Sequence, residues 1–218
     1  MKTTFPLIKC RVKDLGLMDY LRAWDIQKRT VAEVIAGSPD TLLFCEHPTV
    51  LTLGRLATEK KILWPQPEIE KKGIPIIKID RGGEVTLHAP GQIVIYPILN
   101  LEHFGKDLKQ YLEKLQQVAI DLLRDFDIVA SSLPGQRGVW VGERKIASLG
   151  IGVKKWVAYH GMSININTDL RLFSMIRPCG LEVQMTSIQE LTGQTVSLPT
   201  IKEKLISLFS AHFHLEIF

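Results

Sequence analysis

No apolar run in this 218-residue chain approaches the ~20 residues a membrane helix needs. The longest candidates, "IASLGIGV" and "IVIYPIL", are strand-sized. The opening "MKTTFPLIKC" has no apolar core of the secretory kind, so a cytoplasmic protein is expected. Cysteine is scarce: Cys10, Cys45 and Cys179 are odd in number, widely spaced and free of any CxxC pair. That argues against a disulfide framework and against a zinc site. The six histidines form no HExxH and no spaced Cys/His set, so no metal is expected. "HFH" at 212–214 would put both imidazoles on one side of a strand, the pattern of an edge more than of a ligand pair. No GxGxxG joins a strand to a helix, and no GxxxxGK[ST] or GxSxG occurs. The usual signals for a dinucleotide, a phosphate-bound nucleotide and a serine nucleophile are therefore missing, and no cofactor is expected. Charge of one sign is also weak. A net +4 suits an acidic partner but makes no case for nucleic acid.

What is present is ordinary for a soluble globular protein: 45% hydrophobic and 23% charged residues. The length suffices for a buried core in one large domain or two small ones, and, with no long linker, residues 1–218 are expected to form a single domain. Residues 6–12 have the pattern of a strand. Leu17, Tyr20, Leu21, Trp24, Val31, Val34 and Ile35 fall at helical spacing over 17–36, and Gly37 and Pro39 stop that helix. The longest apolar stripe, from Leu108 to Phe126, predicts a helix over about 107–126. Between and after these lie short apolar runs: "TLLFCEHP", "TVLTLG", "IPIIKID", "IVIYPILNL", "GVWVG", "RKIASLGIGV", "WVAY" and "GMSININ". Helical patterns return at about 186–192 and 200–212, before a terminal "HLEIF". The fold class expected is α+β with hairpin-like strand clusters, since strands do not alternate strictly with helices.

Three stretches could carry chemistry. In "DRGGEVTLHAPGQ", Gly82, Gly83 and Gly91 permit tight turns near Arg81, Thr86 and His88. The same residues also suit a plain hairpin. "GERKIASLG" sets Lys145 before an apolar strand, usually a solvated position, and of interest only if a thiolate needs a cation. "RPCGLEVQMTS" holds Cys179 between Pro178 and Gly180. Cys45, inside "LLFCEH", has the setting of an inert core thiol; Cys179 does not. Proline fixes its own φ and keeps Arg177 out of helix, and glycine permits close approach of a substrate. Cys179 is thus either a nucleophile or a turn filler on spacing alone.

"RGGEVTLHAPGQIVIYPILNL", "KIASLGIGV…WVAYHGMSININ" and "IRPCGLEVQMTSI" resemble, in order and spacing, the blocks of the lipoyl(octanoyl) transferase family; "EHPTVLTLGR" is a further block. The resemblance runs from about residue 40 to 190. It implies the α+β fold of the lipoate and biotin protein ligases, with mixed or antiparallel sheets and flanking helices. It implies an acyltransferase that moves an octanoyl or lipoyl group from acyl carrier protein to a lysine of a lipoyl domain, the first step of protein lipoylation. Acceptors would be the lipoyl domains of 2-oxoacid dehydrogenases and the glycine cleavage H protein, with no nucleic acid and no membrane. Cys179 would form the acyl thioester and Lys145 would lower its pKa. Arg81, Gly82, Gly83, Glu84, Val85, Thr86, Leu87 and His88 would contact the acyl substrate. Ser148, Leu149 and Gly150 would form a second contact, and Gly161, Met162 and Ser163 a third. An ATP-dependent ligase of the same fold and an octanoyl amidotransferase are the alternatives.

Some positions depart from the family pattern. Ala89 stands where glycine is usual, and a positive φ there would cost alanine about 1 kcal/mol or more. Glu84 and Leu87 also differ, at the expected pocket wall. An oxyanion would need donors, for which the N–H groups of the glycine-rich turns are natural. "VTLHAP" and "SLGIG" could line an acyl slot. Arg144, Lys145, Lys154, Lys155 and Arg177 suggest a basic rim for acidic partners.

Overall fold

A computed structural model of the chain describes residues 7–58, 61–176 and 183–218. Two sheets organise it. The larger contains seven strands in the order β10-β1-β2-β6-β9-β8-β7, and the smaller contains three, β4-β3-β5. The strands are β1 (Ile8–Leu17), β2 (Asp40–Glu46), β3 (Val50–Leu53), β4 (Ile76–Lys78), β5 (Val85–His88), β6 (Gln92–Ile98), β7 (Val139–Val141), β8 (Arg144–Lys154), β9 (Val157–Asn165) and β10 (Leu215–Ile217). The helices are α1 (Tyr20–Ile35), α2 (Gln66–Lys71), α3 (Leu108–Arg124), α4 (Ile188–Thr192) and α5 (Leu198–Phe213). Parallel pairs β1–β2 and β1–β10 join an otherwise antiparallel large sheet, so the mixed α+β expectation holds. Among the described residues, no helix is long and apolar enough to cross a membrane.

Both faces of the large sheet are covered, which explains the continuous apolar runs of its central strands. Along β2, Leu42 and Phe44 join the core beneath α3 and α5, while Leu43 and Cys45 join the core beneath α1. Along β6, Ile93 and Ile95 go one way, and Val94 and Tyr96 the other. The α3 stripe (Tyr111, Leu115, Val118, Ala119, Leu122 and Leu123) packs with Ile201, Leu205, Phe209 and Phe213 of α5. Each buried Val, Leu, Ile or Phe among them contributes about 1.5–3 kcal/mol. Asp107 caps α3 by accepting from the N–H groups of Lys109 (2.8 Å) and Gln110 (3.0 Å). The small sheet keeps its own cluster, with Leu51, Leu53, Val85 and Leu87 packed against Ile69, Phe173 and Met175.

Several expectations shift. The first strand runs on to Leu17, so that residue belongs to β1 and not to the following helix, whose cap is Asp19. "WVAY" and "GMSININ" are one strand, β9. It continues through His160 at φ 54° and Gly161 at φ 157° because β8 pairs with it on both sides of that kink. "HFH" is not a strand: His212 lies in the last turn of α5, where its Nε2 bonds Asp121 at 2.8 Å, and His214 caps the helix. The register of the β8–β9 ladder sets Ser148 opposite Ser163, Leu149 opposite Met162, and Gly150 opposite Gly161.

Candidate active site

Side chains alternate across a strand, so the β8–β9 ladder sorts its residues by face. Leu149 and Met162 belong to the main core, leaving Ser148, Gly150, Gly161 and Ser163 on the opposite, α1-facing side. There they meet Tyr20 of α1, Thr86 and His88 of β5, and Tyr96 of β6 around a narrow slot of about 40 Å³. A wider cleft of about 490 Å³ continues past Arg81, Thr86 and Ser148 to Trp140 and Lys145. The second and third expected contacts therefore come together with the segment 81–88.

Two glycines make that junction possible. A Cβ on Gly150 would stand 2.9 Å from the Gly82 carbonyl oxygen and 3.1 Å from Arg81 Cδ. A Cβ on Gly161 would run into the backbone of Ile95. With Gly150 bare, the "RGG" turn docks on β8, and the Gly82 N–H donates to the Ile151 carbonyl at 2.9 Å. That N–H is thus committed to the fold, which removes Gly82 from the expected oxyanion donors. Arg81 is held by the Thr52 carbonyl (2.9 Å) and Thr52 Oγ1 (3.0 Å). Leu87 departs from expectation: strand alternation turns it into the small core, away from the slot that Thr86 and His88 face. Ala89 is not among the residues with positive φ, so its methyl costs no backbone strain; Gly91, at φ 81°, makes that turn instead.

Lys145 is the least expected placement. Its side chain is only 2% exposed, although a lysine at a strand start is usually solvated. Its Nζ lies 5.5 Å from the centroid of the Trp140 ring, a cation–π distance. Gly138, at φ 146°, leaves the space that the lysine occupies; a Cβ there would strike Lys145 Cε and lie 2.7 Å from the Ala147 carbonyl oxygen. Gly138→Ala should therefore cost more than 1 kcal/mol of stability from backbone strain alone, on the order set by forcing alanine to positive φ. Thermal unfolding checks this, and unchanged melting would show that the loop yields freely. Burial of Lys145 also corrects the basic rim. Arg144 pairs with Glu190 at 3.4 Å, and Lys154 lies at the far end of β8, on the order of 30 Å away along the strand.

Cys179, with Arg177, lies outside the described residues. The chain on either side of that segment is anchored. Before it, Leu63 N–H donates to the Met175 carbonyl at 2.8 Å, and Ile176 bridges to Ile62. After it, Lys145 N–H donates to the Gln184 carbonyl at 2.8 Å, and Thr186 N–H donates to the Lys145 carbonyl at 2.9 Å. Gln184 and Thr186 are thus pinned to the backbone of Lys145 itself. The other two cysteines are core thiols: burial pushes Cys10 up to about 12 and pushes Cys45 up as well. Neither can supply a thiolate near neutral pH.

A buried hydrogen-bond chain links the slot to the same anchor. His88 Nδ1 lies 2.7 Å from Gln92 Oε1; Gln92 Nε2 donates to Asn165 Oδ1 at 2.9 Å; Asn165 Nδ2 donates to the Thr186 carbonyl at 3.0 Å. Burial lowers His88 well below its ordinary value, so the ring is neutral and Nδ1 carries its proton toward Gln92. His47 is also neutral for the same reason. It donates from Nδ1 to the Met18 carbonyl (2.6 Å), which leaves Nε2 to accept from Tyr96 O–H (2.7 Å). Tyr20, Tyr96 and Trp140 went unmarked in the sequence, because an aromatic at core spacing carries no signal that a cleft passes over it.

At the slot's edge, Asp80 accepts from His160 Nε2 (2.8 Å) and from Tyr159 O–H (2.7 Å). The His160 bond, aided by Tyr159, lowers Asp80 from 3.8 to about 2. Burial lowers His160 too, so the contact is a hydrogen bond to a neutral ring. A depressed carboxylate stabilises the fold fully above its unfolded value and loses that contribution as pH falls through its folded value. The melting deficit of Asp80→Asn should hold steady from pH 8 to about 5 and shrink between about pH 4 and 2. A deficit unchanged down to pH 2 would show that the carboxylate's charge contributes nothing there.

The lipoyl protein ligase A/B catalytic domain family matches residues 19–210. An octanoyltransferase of Syntrophobacter fumaroxidans is 46% identical over 193 residues, 88% of this chain and 85% of its own. An octanoyltransferase of Syntrophotalea carbinolica is 42% identical, covering 92% of each chain. Among solved structures, a bi-partite lipoate protein ligase of Thermoplasma acidophilum covers 98% of this chain and 86% of its own, with a TM-score of 0.73 at 15% identity. Biotin protein ligase of Aquifex aeolicus, with biotin and ATP, covers 94% and 70%, with a TM-score of 0.57 at 17% identity. At those identities the structural likeness speaks for the fold, and the sequence relatives speak for the family. This chain belongs to the lipoyl protein ligase A/B catalytic domain family.

Proposed function

We propose that the chain, as one catalytic domain, transfers an octanoyl group from acyl carrier protein to a lysine of lipoyl domains through an acyl-Cys179 intermediate. The observation that carries this is Lys145. This lysine is buried in the wide cleft that continues from the slot, and its backbone is hydrogen-bonded to Gln184 and Thr186, which follow "RPCG" in the sequence. Its ammonium favours the thiolate of Cys179. The thiolate attacks the thioester carbonyl, the carrier's sulfur leaves, and that sulfur takes up a proton. The acceptor's ε-amine then attacks the acyl-cysteine. The thiolate is expelled, the nitrogen loses its proton, and an amide remains. Splitting the transfer in two is what a covalent nucleophile contributes, and a thioester donor needs no ATP for activation. Ser148, Gly150, Gly161 and Ser163 leave room for the acyl chain by being small, and Thr86 and His88 form the facing wall. The acceptors would be lipoyl domains of 2-oxoacid dehydrogenases and the H protein, in the cytoplasm.

The test mixes enzyme, octanoyl carrier protein and a purified lipoyl domain without nucleotide. Mass spectrometry should find the octanoyl amide on the acceptor. No transfer from the carrier, but transfer from free octanoate with ATP, would make the chain a ligase. Transfer only from octanoylated H protein would make it an amidotransferase.

A further inference from the structure

A second cleft, of about 540 Å³, runs between α3 and the residues 132–137 that precede β7. It joins the cleft that holds Lys145, because Gly135, Gln136, Arg137 and Leu149 line both. Its volume lies within the ~300–1,000 Å³ typical of small-ligand sites, so it takes a single extended chain and not a folded domain. The lining is mixed. Leu112 on the helix and Leu133 and Pro134 on the loop offer apolar surface. At the junction, Gln136 Oε1 is buried and finds no hydrogen-bond donor among the described residues. An unmatched buried acceptor is costly unless something supplies an N–H. Beside it, the Arg137 guanidinium reaches the "RGG" turn, where a Cβ on Gly82 would stand 2.9 Å from its Nη1.

We propose that this groove holds the pantetheine-type arm of the thioester donor, with Gln136 accepting from an amide N–H of the arm and Arg137 donating to an amide carbonyl. The proposal rests on the octanoyl-transfer reading above. Such an arm alternates amides with short hydrocarbon segments, which matches polar groups at the junction and apolar surface beyond it. The acceptor's lysine stem carries no amide along its methylenes and would leave Gln136 unmatched. A nucleotide phosphate would meet Glu113, whose carboxylate sits 3.8 Å from Lys109 and leaves that wall without net positive charge.

The experiment compares octanoyl-pantetheine with the octanoyl thioester of mercaptoethanol, each with a lipoyl domain as acceptor. Wild-type enzyme should favour the pantetheine thioester by about tenfold or more in kcat/KM, the scale of one or two hydrogen bonds. Gln136→Leu removes the acceptor, and Leu112→Trp fills the groove, so the two share no common folding defect. Each should erase most of that preference by raising KM for octanoyl-pantetheine, while the KM of the acceptor holds. Equal losses on both donors, or no preference in the wild type, would overturn the groove assignment. A rise confined to the acceptor's KM would hand the groove to the acceptor. Failure of the wild type on both thioesters and on octanoyl carrier protein would instead sink the octanoyl-transfer reading.

Discussion

Cys179→Ala is expected to abolish octanoyl transfer, with a loss on the order of 10⁴-fold or more, as for removal of a covalent nucleophile elsewhere. Intact-mass measurement after incubation with octanoyl carrier protein should show one octanoyl adduct on the wild type, released by hydroxylamine and absent from the variant. The slot would still bind the acyl chain, so the variant should retain affinity for the donor. Cys10 and Cys45 cannot substitute, because both lie wholly within the core. An adduct that persists in Cys179→Ala would remove this residue from the mechanism.

The second large effect concerns Lys145. Lys145→Met keeps the length of the stem and deletes the charge, and it should slow transfer by about 10²–10⁴-fold, the range of a positioned proton or charge partner. Its signature is in the pH dependence. If the ammonium stabilises the thiolate, the variant's Cys179 should react with iodoacetamide only at higher pH than in the wild type. An alkylation profile that stays in place while transfer still collapses would assign Lys145 to proton transfer from the incoming amine. Lys145→Arg is no conservative control here. The bulkier guanidinium would enter a space that Gly138, Trp140 and the Ala147 carbonyl already close.

The three expected substrate contacts lie apart along the chain, yet pairing of β8 with β9 joins two of them and docking of the "RGG" turn on β8 brings in the third. Nothing in the spacing of Ser148 and Ser163 says that they face each other. The pairing follows from the register of β8 on β9, which the turn at Lys155 and Trp156 sets. Extended-strand geometry explains two departures, Leu87 on β5 and Lys154 on β8. Strand alternation takes Leu87 off the slot, and strand rise separates Lys154 from Lys145 by the length of β8. In the sequence, a run of basic residues looks like a patch; on an extended strand it is a line.

Composition and periodicity by themselves determined an α+β chain, its long helices α1, α3 and α5, and the contrast between Cys45 in an apolar run and Cys179 between proline and glycine. Those are local properties, written in spacing and in the fixed φ of proline. Tertiary structure alone decided that Lys145 is buried, that Gly138 makes its space, and that Gly82 spends its N–H on Ile151. It alone joined His88 to Thr186 through Gln92 and Asn165. Each of these depends on partners from distant segments, brought within reach only when both faces of the large sheet are covered. A lysine at a strand start is solvated or buried according to what packs over it, and here Trp140 and the bare Gly138 enclose it.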